Sequence, residues 1–439
     1  MKKMNNKNDI LNEDGIDNDN RIINVDAIDD ENSIINVDAM DNENSIINVD
    51  ALDDEKLKLL NEADEIKSQT IHIHNKKHVY WIDALRILSS YMVILVHCCH
   101  YGLKGDKFLS NNWYGSRFWN ALCRPCVPHF IMISGVLFLD PNRKITISKM
   151  YKKYIFSIVK SLLFWNVIYV TVDKFVIIGI RKRYKWDRKL IFSVYEEFLE
   201  GRYHLWYLYM CIGLYVLTPF VRQLCKDEKI MKYFLVISLL IIQVISFLIC
   251  LARNCHKSWY INVLEVVLGK FKLSMIEGYT SLFILGYYFN SHEIQSKLKF
   301  FFIFLVGVIS SLSTYILQLI FSRKYKKEIK DFEDYLCINV TLASIAIFVF
   351  FKYPVHYILE SYIFSYAKFI KVILKKISGL TMGIYVVHIC WLDLFYELNV
   401  RYYNMNQLLF LPVHALLTWI VCALTIFIMK KIPLIKDFV

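Results

Sequence analysis

Three signatures of soluble catalysis are missing from this 439-residue chain. It has no Gly-x-x-x-x-Gly-Lys loop to cradle a nucleotide's phosphates and no Gly-x-Gly-x-x-Gly opening a helix. It also lacks a Gly-x-Ser-x-Gly elbow to present a nucleophile. A nucleotide-hydrolysing engine and a grafted soluble hydrolase are therefore excluded. A disulfide framework is missing too. Most of the eleven cysteines, Cys211, Cys250, Cys390 and Cys422 among them, sit in apolar runs, where a thiol acts as a small hydrophobe. Basic residues form no stripe on a soluble module, which argues against a nucleic-acid partner. The first apolar stretch begins only near residue 80, so no cleavable secretory signal is expected at the start.

What is abundant is apolar surface. The composition is 56% hydrophobic and 15% aromatic, more than one compact soluble core can bury. Runs of near-spanning length recur, and they predict an all-α, polytopic membrane bundle of about ten transmembrane helices embedded in a lipid bilayer. The candidate spans are 81–101, 114–139, 154–180, 203–224, 231–252, 275–291, 298–321, 336–353, 379–399 and 407–429. An even number puts both termini on one side. The short basic loop Asn142–Lys153 and the pair Lys430–Lys431 point to a cytoplasmic location for that side, in a cell membrane.

The chain divides in two. Residues 76–439 form the expected membrane domain, and residues 1–75 read as a disordered acidic tail. Within it a 12-residue unit recurs from Arg21, Ser33 and Ser45, too short and too acidic to stack into a core. Residues 1–69 carry 7 basic against 19 acidic side chains, so the formal charge of +12 hides a membrane region at +24. Such an excess of base fits positive-inside loops and anionic lipid.

The first span carries Asp83, Arg86, His97 and His100 inside an otherwise apolar run. Ionisable groups there are costly and usually face a protein interior or a watery cavity. At about 100° per residue, Arg86 and His97 fall on one face, roughly 16 Å apart along the axis. A cation near one surface and an imidazole near mid-membrane thus share a groove. An imidazole's ordinary pKa of about 6.5 suits it to general base work, and a hydrogen-bonded core histidine is the alternative. Asp83, three residues before Arg86, is expected to be its local ion-pair partner.

In the second span, Arg124-Pro125-Cys126-Val127-Pro128-His129 holds two prolines that interrupt regular helix. Arg124 is either a second anion-holding guanidinium or one snorkelling to an interface. Ser134 follows on the same span. Cysteines 98, 99, 123 and 126 with nearby histidines hint at zinc. Adjacent Cys98 and Cys99 point about 100° apart on a helix, however, so no metal is expected. His204 opens the fourth span within an aromatic cluster that resembles an interfacial belt. In the ninth, Ser378, Thr381, Tyr385 and His388 recur at helical steps, serving either as interhelical glue or as groove lining.

Taken together, these motifs carry a resemblance. Ile82-Asp83-Ala84-Leu85-Arg86 with His97 ten intervening residues later resembles the first-span signature of the acyltransferase 3 family of integral-membrane acyltransferases. The stretch from Arg124 to Gly135 is similar to that family's R-x-x-V-P-x-F-x-M-x-S-G segment, with His129 where an apolar residue is usual. His204-Leu205-Trp206-Tyr207-Leu208 and Ser378–His388 resemble its later signatures. The resemblance implies an acyl-CoA donor bound from the cytoplasm, with acetyl-CoA as co-substrate and no resident cofactor. It implies O-acetyl transfer to a hydroxyl of a surface polysaccharide or lipid-linked saccharide. It also makes His97 and Arg86 the catalytic residues, and the side-chain patterns above make Arg124, Ser134, His204, Tyr385 and His388 the expected binding set. The alternative class is a multi-pass transporter or flippase of a small anionic or glycolipid substrate. Such proteins commonly show matching broken helices in two halves. Here the Pro-interrupted second span has no counterpart in the second half.

Overall fold

The computed structural model describes residues 78–173, 188–255, 278–361, 368–398 and 405–438, with scattered positions between 259 and 270. The acidic tail lies outside the described residues, as does the end of the expected third span. Every regular element among the described residues is a helix. The longer ones are α1 (Tyr80–Gly105), α2 (Asn111–Cys123), α3 (Cys126–Phe138), α4 (Phe156–Thr171) and α5 (Arg188–Glu200). Then come α6 (Trp206–Leu224), α7 (Glu228–Ser238), α8 (Ile245–Asn254), α9 (Thr280–Ser291) and α10 (Lys297–Tyr325). The series closes with α11 (Ile338–Phe350), α12 (Lys368–Ser378), α13 (Thr381–Glu397) and α14 (Gln407–Met429).

Among the described residues, eight helical stretches are long and apolar enough to cross a membrane. The pair α12 and α13, bent by 56° at Gly379–Leu380, makes a ninth if it counts as one span. The sequence reading expected about ten, and the difference falls on 275–291. Only the 12 residues of α9 are described as helix there. Residues 275–277, the start of that expected span, lie outside the described residues. The bend also means that Ser378 and His388 do not share one straight helix.

The bundle is organised around α1, which packs against α2, α3, α12, α13 and α14. Its buried residues include Leu85, Ile94, Leu95, Cys98 and Cys99, all at 0% exposure. By contrast α10 turns Phe301, Phe302, Ile309, Ile316 and Ile320 outward, as a helix against lipid should. The two prolines of the second span sit where helix geometry tolerates them. The second span breaks at Arg124–Pro125, and Pro128 falls in the first turn of α3, where a missing N–H leaves no bond unmade.

Helices α3 and α9 approach each other closely. A Cβ added at Gly135 would lie 1.8 Å from the Phe283 carbonyl oxygen, and one at Gly286 would lie 2.0 Å from that of Met132. Small residues allow this backbone contact, which is the main source of helix association where lipid is as apolar as protein. Gly286→Ala should therefore destabilise the bundle by about 1–3 kcal/mol, the usual cost of overpacking. The comparison is Gly213→Ala on α6, where an added Cβ meets nothing within 4 Å. A lower thermal midpoint for the first variant but not the second is the expected result.

Candidate active site

Three cavities follow one another through the bundle. The first, about 520 Å³, lies at the end where α1 begins and is lined by Arg86, Val127, Ser134, Lys153, Thr381 and Tyr385, among others. That volume is within the range of about 300–1,000 Å³ usual for ligand pockets. The last residues of the chain close one side. The Phe438 carbonyl accepts from Ser161 Oγ at 2.9 Å and Trp165 Nε1 at 3.2 Å, and its ring stacks on Phe164 at 4.9 Å. Arg86 Nη1 stands 4.0 Å from Asp83, as expected, but the other Asp83 oxygen is held more closely by His78, at 2.5 Å.

Deeper in, a chamber of about 50 Å³ is lined by His97, His204, Tyr203, Trp206 and Tyr335. It shares Val93, Val127, Tyr207 and Tyr385 with the first cavity, so those four side chains form the partition. The space admits a few atoms only, an acyl group or a couple of waters.

Three imidazoles meet at this chamber. The His97 and His388 rings are 4.9 Å apart, and those of His204 and His388 are 5.2 Å apart. The Tyr203 hydroxyl lies 3.4 Å from His97 Nδ1. His388, fully buried behind the other two, donates from Nδ1 to the Tyr385 carbonyl at 2.5 Å, which leaves its Nε2 unprotonated in the neutral ring. His204 is only 2% exposed, with the Val386 backbone as a hydrogen-bond neighbour of its ring. The backbone around them is pinned from both sides: Tyr385 Oη donates to the His204 carbonyl, and Tyr169 Oη to that of Val386 at 2.7 Å.

A third cavity, about 630 Å³, opens beyond the chamber and shares Tyr335 with it. The direction is read along α3. Its Phe138 end lines the first cavity and its Cys126 end the chamber, with Arg124 of the third cavity just past that terminus. Arg124 is held in an ion network, with Nη2 at 2.8 Å from Glu333 and further bonds to Asn120. Arg117, which is fully buried, lies 3.3 Å from both Glu333 and Glu328.

The expected residues are thus distributed along a row. Arg86 and Ser134 line the first cavity, and Ser134 Oγ is 3.5 Å from Tyr215 Oη. Tyr385 stands at the partition, His97 and His204 line the chamber, and His388 backs them. Arg124 does not meet Arg86 but joins the Glu333 network. His129 is buried, with Nδ1 3.1 Å from Ser89 Oγ. Among the described residues, no three His, Cys, Asp or Glu side chains are grouped so as to hold a metal ion.

Sequence reasoning passed over Tyr203, Arg202 and Asp393. Arg202 bonds both Asp393, at 2.7 Å, and Asp173, while Tyr101 Oη donates to Asp393 close to His97. It also passed over Arg117 and Glu333. A signal existed: Asp393 and Arg117 are charges within apolar runs. Tyr203 was hidden because an aromatic at a span's start looks like an interfacial anchor.

Helices of spanning length around buried imidazoles, with a cationic cavity beside them, define a multi-pass membrane protein whose site lies inside the bundle. The acyltransferase 3 family model, described as an acyltransferase domain, matches residues 79–429. The chain belongs to that family and is a membrane acyltransferase. No curated protein and no solved structure matches it.

Proposed function

We propose that the protein transfers an acyl group, acetyl in the simplest case, from acyl-CoA to a hydroxyl of a surface glycan or lipid-linked saccharide. One observation carries the reading: the cavity of Arg86 and the chamber of His97 meet at a common wall of Val93, Val127, Tyr207 and Tyr385. In this reading the donor's phosphates lie near Arg86 and Lys153, and its pantetheine arm runs along Val127 and Phe130. The thioester then arrives at Tyr385. The cavity's end of the bundle also carries Lys430, whose Nζ donates to the Gly379 carbonyl at 2.6 Å. An excess of lysine there favours the cytoplasmic side of a cell membrane, where acyl-CoA is found.

His97 then acts as general base. The acceptor hydroxyl attacks the thioester carbonyl while the imidazole takes its proton. The tetrahedral intermediate collapses, the carbon–sulfur bond breaks, and the departing thiolate regains a proton from the imidazolium. An ester and free CoA thiol leave. Tyr203 orients the ring through Nδ1, leaving Nε2 with the lone pair, and His388 packs behind as a positioning residue.

The test is transfer from labelled acetyl-CoA by the purified protein in lipid nanodiscs. Absence of both transfer and thioester cleavage would refute the reading. Arg86→Lys keeps the charge but loses the planar fork, so KM for acetyl-CoA should rise by about tenfold, the loss of one charge-assisted hydrogen bond. An unchanged KM in that variant would remove Arg86 from donor binding.

A further inference from the structure

Two thiols line the third cavity, and neither has a part in acyl transfer as proposed above. Cys250 lies near the end of α8, and Cys337 caps the start of α11. Both sulfurs turn to one backbone oxygen: the Asp331 carbonyl is 3.4 Å from Cys250 Sγ and 3.8 Å from Cys337 Sγ. The two thiols are also in hydrogen-bond contact with each other. Hydropathy reads Cys250 as a small hydrophobe in an apolar run, whereas packing puts it beside an open space.

The pair is aligned by bonds that do not involve sulfur. Helix α8 packs against both the Asp331–Glu333 turn and α11. Asn254 Nδ2 donates to the Cys250 carbonyl and to the Asp331 carboxylate, each at 2.8 Å, and Tyr325 Oη donates to the Asn254 carbonyl. On the other side, the Cys337 N–H donates to the Asp334 carbonyl at 3.1 Å. Disulfides form where the backbone already sets two cysteines facing each other, because the bridge has a narrow geometry. Access to the two is uneven. Cys337 is 1% exposed, whereas Cys250 is half-buried on the cavity's wall.

We propose that Cys250 and Cys337 are the two halves of a disulfide, a modification site that fastens α8 to the Asp331–Cys337 turn. A small disulfide such as oxidised glutathione is the electron acceptor. The Cys250 sulfur, the accessible one, attacks as the thiolate and releases one glutathione thiolate, which leaves a mixed disulfide. The Cys337 sulfur then displaces the second glutathione. The protein gives up two electrons and two protons, and the two glutathione sulfurs take them. The bridge closes a loop of about 87 residues, and a long loop restricts the unfolded chain strongly. It also fixes the turn that carries Glu333 to Arg124 and Tyr335 to the chamber. In the orientation proposed above, this end of the bundle faces away from the cytoplasm, where disulfides persist. The bridge itself does not depend on acyl transfer.

The experiment uses the full chain in nanodiscs, reduced, freed of reductant and then incubated with oxidised glutathione. After free thiols are blocked with a maleimide, the digest should contain a Cys250–Cys337 linked peptide that dithiothreitol removes. The thermal midpoint of the oxidised chain should rise by about 5 °C. Cys250→Ser and Cys337→Ser should each abolish the rise, while Cys255→Ser, which alters the exposed thiol one residue past α8, should retain it. Recovery of both residues as maleimide adducts on the wild-type chain overturns the proposal, with no variant needed. So does a glutathione adduct that persists at Cys250, because Cys337 would then be out of reach. A peptide linked through Cys255 instead rejects the pair named here. A Cys250–Cys337 link with an unchanged midpoint rejects the fastening of α8.

Discussion

His97→Ala is expected to lower the rate of acyl transfer by about 10²–10⁴-fold, the usual worth of a positioned general base. The imidazole lines the chamber beside the partition where the thioester would arrive, and its Nδ1 is 3.4 Å from the Tyr203 hydroxyl. Removing it should leave acetyl-CoA binding intact, because the cavity proposed for the donor does not include His97. Transfer measured at matched protein level, together with binding of labelled donor, checks both halves. Near-normal turnover would move the proton transfer to His204, which faces the same space. Tyr203→Phe removes only the hydroxyl at Nδ1 and should have a smaller effect. It should also shift the pH–rate profile, a change that a purely structural role would not produce.

Glu333→Ala should destabilise the fold by about 3–5 kcal/mol, because removing one partner leaves buried charge uncompensated. Here two guanidiniums depend on one carboxylate: Arg124 at 2.8 Å and Arg117 at 3.3 Å, with side-chain exposures of 15% and 1%. Arg117 retains Glu328 and the Ile329 carbonyl, so the larger loss falls on Arg124. Thermal unfolding of the purified variant is the measurement, and Glu333→Gln should lie between it and wild type. A midpoint equal to wild type would mean that water entering the cleft solvates the guanidinium at no cost.

Much of this protein was legible in the sequence because a membrane imposes simple local rules. A run such as Trp81–Tyr101 has to satisfy its own backbone hydrogen bonds, so hydropathy alone identifies it as a helix. The same rule makes any charge inside it conspicuous, and that drew attention to Arg86 and His97 before any contact was known. The break at Arg124–Pro125 followed from proline's absent N–H, again a property of single residues. Family membership came from short motifs in order along the chain, and the match over 79–429 agrees with it.

Long-range partnership was not legible, since nothing in one helix states which other helix it faces. The sequence offered Arg124 as a companion to Arg86 in one anion site. The packing instead puts it beyond the Cys126 end of α3, against a carboxylate 209 residues later in the chain. His97, His204 and His388 were picked out separately, yet only the crossing of α1, the turn before α6, and α13 brings the rings of His97 and His204 within about 5 Å of that of His388. The described part of the expected span at 275–291 makes a related point. Its apolar residues face α3 across Gly135 and Gly286, where backbone meets backbone. Apolar composition records that a segment leaves water. Whether it leaves it for lipid or for another helix depends on shape, which only the tertiary structure contains.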